Sequence, residues 1–204
     1  MLSVTQALQS RFSAHSYDPS HFLSEQDIIG LIDLTRHAPS AFNVQNWRFI
    51  AVHTQASKAT LLPLAYGQEK VVDAAVTFIV CGTLDPHKTI AGSLRPSVDA
   101  GILDEATFKG WVGAVERMYA DNPGMQRDEA VRSASLAAMA LMMVATEKGL
   151  ASTPMIGFDQ AGVAEAFNLG KREVPVMLVT VGRAGANNWP QKPRRATSDI
   201  LSIV

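Results

Sequence analysis

The stretch SASLAAMALMMVA, residues 133–145, decides how this chain of 204 residues folds. In a helix its apolar side chains occupy every side, and charge returns only at Glu147 and Lys148, ahead of Gly149, which suits a left-handed helix end. The surrounding pattern predicts one helix over residues 128–148, although no apolar run reaches the roughly 20 residues of a transmembrane span. A monomer of this size could hardly bury such a helix, so we predict that it lies in an interface between two subunits.

Three segments outside this helix predict the strands of a sheet. They are RFIAV at residues 48–52, VTFIVC at 76–81 and VPVMLVTV at 174–181. The last two alternate little between polar and apolar residues, which is typical of central strands covered on both faces. Pro175 fits only near the start of its strand, because proline cannot donate a ladder hydrogen bond.

Further helices are indicated by cap residues and amphipathic patterns. Ser3 and Gln6, for example, form a capping-box pattern. The predicted helices cover residues 3–10, the segment between Ser24 and Pro39, and residues 104–120. Residues 184–195, rich in Asn, Gly and Pro, predict an irregular arm on the surface. The fold class is therefore α+β, a mixed, mainly antiparallel sheet surrounded by helices, and we expect residues 1–204 to form a single domain.

Composition and charge exclude several classes of function. Lys and Arg total 18 against 19 Asp and Glu, so the formal net charge of -1 provides no field to attract nucleic acid or an anionic membrane. The single cysteine, Cys81, excludes an internal disulfide framework and is expected to be an inert core residue. The first residues lack the regions of a signal peptide, which predicts a cytoplasmic protein. No His or Cys pair has the spacing of a metal site, so no metal is expected.

Two cationic segments stand near opposite ends of the chain. RFSAH at residues 11–15 and KPRR at 192–195 combine guanidinium and hydroxyl groups that can hold a phosphate, although the residues alone favour two solvated surface patches. The loop PSAFNVQNW, residues 39–47, sets amide and hydroxyl groups between Phe42 and Trp47. Such a loop suits a planar heterocycle, or it is a turn with two rings anchored in the core.

Taken in order, these segments resemble the FMN-dependent nitroreductase family, and its short bacterial NAD(P)H branch in particular. The resemblance runs from Val4 to about Leu201, and its specificity lies in the order of the pieces. The pieces are Arg-x-Ser-x-x-x-Tyr from Arg11 to Tyr17, APSAFNVQNWRF at residues 38–49, AYGQ at 65–68, PMIGFD at 154–159, VPV at 174–176, and Arg194. The resemblance implies an α+β homodimer with two FMN sites at the subunit interface, each built from both chains.

The resemblance also implies roles for single residues. Arg11 and Ser13, with Phe12 between them, match the motif that grips the FMN phosphate, and Arg194 is the distal phosphate partner. The other implied FMN-binding residues are Lys192 or Arg195 as a helper at the phosphate, Ser40 and Asn43 with Pro39 and Ala41 in the partner subunit's loop, Gln68 and Lys70 at the pyrimidine ring, and Ile156 and Gly157 at flavin N5 and O4.

Two positions depart from the family pattern. His15 stands where many relatives have Lys or Arg near the pyrimidine end of the flavin. A fixed cation there stabilises negative charge at N1 and O2 of the reduced flavin, whereas a histidine does so only when protonated or as a neutral donor. Asn46 replaces the proline that often precedes Trp47, and this replacement is expected to loosen the loop.

The implied activity is that of an oxidoreductase. NADH or NADPH gives a hydride to N5 of FMN and leaves, and a nitroaromatic, a quinone or a related electrophile then takes it in a ping-pong sequence. Because the flavin carries this chemistry, no catalytic side chain is assigned. Three alternatives stay open: a reductase of an enal or aldehyde on the same fold, a non-catalytic flavin carrier or sensor, and a helical dimer without a cofactor.

Overall fold

The computed structural model describes residues 2–204, which contain eight α-helices and four β-strands. The helices are α1 (Val4–Ser10), α2 (Glu25–Thr35), α3 (Gln55–Leu64), α4 (Lys70–Asp73), α5 (Pro86–Asp99), α6 (Glu105–Tyr119), α7 (Pro123–Glu147) and α8 (Gln160–Ala166). The strands are β1 (Trp47–Val52), β2 (Val76–Thr83), β3 (Ala151–Met155) and β4 (Glu173–Gly182). Two 3-10 turns, Ala41–Asn43 and Thr197–Asp199, complete the elements.

The four strands form one antiparallel sheet in the order β1-β2-β4-β3. β2 and β4 are therefore the inner strands, as their apolar sequences predict. The ladder shifts register between Val80 and Cys81, and Pro175 lies opposite Cys81 near the start of β4. Among residues 2–204, parallel pairing is limited to an isolated bridge between Ser13 and Ser152. The predicted α+β class and mainly antiparallel sheet are confirmed.

Helix α7 crosses one face of the sheet and packs against all four strands. The two backbones approach closely, because a Cβ atom built on Gly82 of β2 would stand 2.3 Å from the carbonyl oxygen of Ala130. Farther along α7, Ala134, Ala138 and Leu141 are buried in one apolar core with side chains of β2 and β4. Small residues on the helix thus allow this contact with the inner strands.

Side-chain caps mark the starts of six of the eight helices in the described residues. Ser3 and Gln6 form the predicted capping box of α1. α7, however, begins at Pro123 rather than at residue 128, because Asn122 caps it and proline suits the first helical position. The Asn-Pro pair is the sequence signal for this earlier start.

Helix α7 is not fully enclosed within one chain, as the sequence predicts for a monomer of this size. Leu136 is 42% exposed, and Met139, Ala140 and Met143 are only partly buried. A single chain therefore leaves one side of the helix incompletely buried. By length and composition, α7 is the one helix of the described residues that could cross a membrane. Half of the most apolar 18-residue segment of this helix is buried inside the protein.

The opposite face of the sheet is covered by α3 and α8. Ile79, Cys81 and Leu178 point to this face, as expected from the alternation of side chains along a strand, and join a second apolar core. Strand β3 lies at the edge of the sheet and has no counterpart among the predicted strands. Its central residues, Ser152, Thr153 and Pro154, interrupt the apolar pattern that marks the other strands.

Candidate functional site

The two ends of the chain meet beside β3 and β4. Tyr17 forms an antiparallel bridge with Ala184, directly after β4, and Ser13 forms the parallel bridge with Ser152 of β3. A cavity of about 240 Å³ opens along this junction. Six of the predicted site residues line it, namely Phe12, Ser13, His15, Lys70, Lys192 and Arg194. The fold thus brings residues of both cationic segments into one cavity.

A buried hydroxyl network holds the N-terminal segment against the sheet. The Tyr17 hydroxyl lies 2.8 Å from Thr180 Oγ1 and donates to Thr153 Oγ1 at 3.2 Å. Thr153 Oγ1 in turn donates to the carbonyl oxygen of Ala14 at 2.5 Å. Burial raises the pKa of Tyr17, which keeps the phenol protonated and able to donate. The network therefore fixes the backbone between Ser13 and His15.

Arg11 is half-buried, and its environment opposes its charge. Its Nη1 atom is shielded from solvent and has no hydrogen-bond partner among residues 2–204. Burial lowers the pKa of Arg11, and the neighbouring guanidinium of Arg194 lowers it further. A phosphate would offer acceptors to Nη1 and offset the repulsion between the two guanidinium groups. The pair therefore fits a bound phosphomonoester.

The arm after β4 supplies the other cations. Lys192 and Arg194 line the cavity, and Arg194 Nη1 donates to the carbonyl oxygen of Lys192 at 2.6 Å. Arg195 is absent from the lining and donates through Nη2 to the carbonyl oxygen of Asp199 at 2.9 Å. Of the two candidate helpers at the phosphate, Lys192 is the one that lies at the cavity.

His15 is fixed by an aromatic partner that the sequence did not reveal. Its imidazole stacks on Trp189, with ring centroids 5.1 Å apart and planes inclined by 14°. Lys192 Nζ lies 5.3 Å from the centroid of the same indole. Trp189 is 60% exposed, and the only sequence signal for it is an aromatic residue within an arm of small and polar residues.

The pyrimidine-ring residues come from α4 and the turn before it. Lys70 is the first residue of α4 and lines the cavity. The end of this helix is held by the buried Lys58, whose Nζ donates to the carbonyl oxygens of Val72 at 3.0 Å and Ala74 at 2.5 Å. Burial lowers the pKa of Lys58. A buried lysine in α3 thus positions a lysine of the candidate site.

Gln68, Ile156 and Gly157 form a second cluster outside the lining of this cavity. Gln68 Nε2 donates to the carbonyl oxygen of Gly157 at 2.8 Å, which joins the turn before α4 to the turn after β3. The backbone N–H of Asp159 also donates to the carbonyl oxygen of Leu64 at 2.8 Å, which joins the end of α3 to the turn after β3. Ile156 is 80% exposed beside this junction.

The loop with Pro39, Ser40, Ala41 and Asn43 lies apart from the cavity lining. Ser40 Oγ accepts from the backbone N–H of Gln45 at 2.9 Å. Phe42, Asn43 and Gln45 all have positive φ angles, of 51°, 56° and 51°, which strains non-glycine residues. The Phe42 ring holds this conformation by packing edge-on against Trp111 of α6, at a centroid distance of 5.9 Å.

Asn46 anchors the end of the same loop. It is buried, its Nδ2 donates to the carbonyl oxygen of Thr83 at 3.1 Å, and its own carbonyl oxygen accepts from Thr83 N at 2.8 Å. Proline could accept the backbone bond from Thr83 N, but it has no side-chain amide to donate to the carbonyl oxygen of Thr83. The expectation that Asn46 loosens the loop is therefore wrong, because its amide ties the loop to β2.

Comparisons with known proteins identify the family of this chain. The sequence model described as "Nitroreductase family" matches residues 8–183. MhqN of Bacillus subtilis, named as an NAD(P)H nitroreductase, is 34% identical over 206 residues, which cover 100% of this chain and 98% of MhqN. YodC of the same organism, named likewise, is 32% identical over 184 residues, which cover 90% of this chain and 91% of YodC.

A solved structure extends the likeness to three dimensions. A crystal structure from Exiguobacterium sibiricum, described as a nitroreductase in complex with FMN, superposes with a TM-score of 0.92 at 28% identity. The match covers 100% of this chain and 98% of that one. The extent of these matches, and the cationic cavity at the junction of the chain ends, lead to one conclusion: the chain belongs to the nitroreductase family.

Proposed function

We propose that this protein is an FMN-dependent oxidoreductase that uses NADH or NADPH to reduce nitroaromatic compounds, quinones or related electrophiles. The observation that carries the proposal is the adjacent pair of Arg11 and Arg194, with Arg11 Nη1 buried and unpartnered within residues 2–204. The relatives named as NAD(P)H nitroreductases and the relative described with FMN support the same donors and cofactor.

Residues that line the cavity and residues outside its lining would together hold FMN. Arg11, Ser13 and Arg194, aided by Lys192, would bind the phosphate. The residues proposed for the flavin ring are His15, Gln68 and Lys70 at the pyrimidine end and Ile156 and Gly157 at N5 and O4. Bound FMN would supply the redox chemistry, taking a hydride from the nicotinamide and passing it to the acceptor in alternating half-reactions. The chain itself would bind, orient and shield the ring.

We propose a homodimer because one apolar stripe of α7 remains open in a single chain. Leu136, Met139, Ala140 and Met143 recur at spacings of three and four residues, which places them on one side of the helix. The loop that carries Ser40 lies outside the cavity lining, so this loop would reach an FMN site from the opposite subunit. Sedimentation velocity tests the dimer, and a stable monomer that binds FMN would contradict it.

Residues 1–204 would form a single FMN-binding domain, because the cavity draws on both ends of the chain and neither end completes it alone. We place this domain in the cytoplasm, where Cys81, the one cysteine of the chain, would stay reduced.

The absorption spectrum of the purified protein, followed by anaerobic mixing with NADH and NADPH, tests the function. A flavin spectrum that bleaches rapidly on mixing supports the reductase. A bound flavin that stays oxidised with both donors supports a carrier or sensor. A colourless protein that takes up no added FMN supports a dimer without a cofactor and overturns the proposal.

A further inference from the structure

The arm after β4 forms backbone hydrogen bonds with the N-terminal segment, residues 11–18, only at its start. Backbone bonds join Asp18 N to Arg183 O and Gly185 N to Ser16 O, both at 3.0 Å. A Cβ atom on Gly185 would stand 2.8 Å from the carbonyl oxygen of Tyr17, so this close approach requires glycine. Beyond Gly185 the arm contains no strand or helix up to residue 196.

Beyond this backbone pairing, the side-chain amide of Asn188 links the arm to the N-terminal segment. Asn188 Oδ1 accepts from the backbone N–H groups of His15 at 2.7 Å and Ser16 at 3.0 Å. Asn188 Nδ2 donates to the carbonyl oxygens of Ser16 at 2.9 Å and Gly185 at 3.0 Å. These bonds use two acceptor and two donor positions, the full capacity of an amide. Asn188 therefore replaces a backbone pair between the arm and the predicted phosphate motif.

A second amide fastens the arm farther along. Gln191 Nε2 donates to the carbonyl oxygens of Leu8 at 3.0 Å and Arg11 at 2.7 Å. Leu8 lies in the last turn of α1, where carbonyl groups lack helical partners. Gln191 thereby joins the end of α1 to the arm immediately before Lys192.

The hydrogen bonds of Asn188 and Gln191 oppose an electrostatic repulsion between the arm and the N-terminal segment. The arm carries Lys192 and Arg194, while the N-terminal segment carries Arg11, whose pKa burial and the charge of Arg194 both lower. Before an anion binds, like charges push the two segments apart, and uncharged contacts along the arm offset this repulsion. The amides of Asn188 and Gln191 are such contacts.

We propose that Asn188 and Gln191 are positioning residues that assemble the two halves of a phosphomonoester site before the ligand binds. This inference rests on the proposed function, with FMN as the phosphomonoester. The two amides bond to backbone groups, although Gln191 also lines the cavity, and they tie the arm that carries Arg194 and Lys192 to the segment that carries Arg11 and Ser13. Loss of an amide lowers the fraction of molecules with an assembled site, and the apparent affinity falls by that fraction.

Binding of FMN and of riboflavin, which lacks the phosphate, tests the inference by quenching of flavin fluorescence. The variants are Asn188→Leu and Gln191→Met, which keep the size of each side chain and remove its hydrogen bonds. Asn187→Gly is the matched control, because the exposed Asn187 makes no side-chain hydrogen bond within residues 2–204 and its φ of 63° suits glycine. Thermal unfolding of each apoprotein accompanies the titrations.

We expect FMN affinity to fall about tenfold in each variant, the usual effect of losing such hydrogen bonds, and riboflavin affinity to fall less, because riboflavin lacks the phosphate. The control binds both flavins like the wild type. Equal losses for FMN and riboflavin, or an unchanged FMN affinity, overturn the positioning role alone. A wild-type protein that binds neither flavin overturns the proposed function and this inference with it.

Discussion

The inner strands beneath α7 and the cavity between the chain ends are built by opposite means. At the inner strands, apolar side chains and small residues bring backbones together, and Val76, Phe78 and Val179 are fully buried. At the cavity, exposed and half-buried segments carry like charges and are fastened by the amides of Asn188 and Gln191. Apolar burial stabilises the first region, whereas a few polar bonds hold the like-charged segments of the second region together.

The sharpest test of this difference is Gly82→Ala at the inner strands. A Cβ atom there meets the backbone of Ala130 at 2.3 Å, so α7 must shift away from the sheet. We expect the free energy of unfolding in urea to fall by about 3 kcal/mol, at the upper end for overpacking.

Gly92→Ala in α5 is the matched control, because a Cβ atom at Gly92 meets nothing within 4 Å. Replacing this exposed helical glycine should raise stability by about 0.5–1 kcal/mol. If both substitutions changed stability by the same amount, the close contact between α7 and β2 would have no energetic importance.

Among the residues proposed to bind the phosphate, the largest expected effect comes from Arg11→Ala and Arg194→Ala. Each substitution should weaken FMN binding by about 1.5–3 kcal/mol, the range for hydrogen bonds to charged groups. The stability of the apoprotein should not decrease, because the substitution removes a repulsion between the two guanidinium groups. Equilibrium titration with FMN and urea unfolding measure the two effects.

Arg195→Ala is the control for these arginines, because its guanidinium bonds to the carbonyl oxygen of Asp199 outside the cavity lining. We expect its FMN affinity to match the wild type. A loss at Arg195 equal to the loss at Arg194 would reject the assignment of Arg194 to the phosphate.

The pH dependence of the free energy of unfolding gives a further test of the inner strands. Burial, and then the charge of Glu173, raise the pKa of the Cys81 thiol from 9.0 to about 12. The folded protein therefore keeps a proton that the unfolded chain loses between these values. The contribution of Cys81 to the free energy of unfolding is fully present below pH 9 and is lost as pH rises toward 12. The loss attributable to Cys81 is at most about 1.4 kcal/mol per pH unit.

Cys81→Ala should flatten this decline, whatever its effect on stability at neutral pH. Urea unfolding of both proteins at several pH values above and below 9 measures the two slopes. Parallel slopes would show that the thiol is not protonated preferentially in the folded state.

The smallest expected effect concerns the ring that stacks on His15. Trp189→Ala removes this contact and should weaken FMN binding by about 0.5–1.5 kcal/mol, the range for aromatic pairs. Trp189→Phe should retain most of the affinity because a ring remains. Equal affinities for wild type and Trp189→Ala in the FMN titration would contradict a role for the stack in the site.

The parts of the protein that could be predicted are those whose signal is local. The apolar runs of β2 and β4, the capping box of Ser3 and Gln6, and the apolar pattern of α7 were all visible in the sequence. β3 escaped prediction because Ser152 and Pro154 interrupt its pattern. The individual site residues remain predictions, supported by the position of six of them at one cavity.

By itself, the sequence determined the α+β class, the inner strands, the starts of α1, α2 and α6, and the family, because each depends on neighbouring residues or on the order of motifs. Only the tertiary structure decided that Arg11 lies beside Arg194, that Trp189 stacks on His15, and that Asn188 bonds across the junction of the chain ends. These contacts join residues more than 170 positions apart. No local propensity encodes such pairs, because they form only after burial of the apolar core has brought β3 and β4 together beneath them.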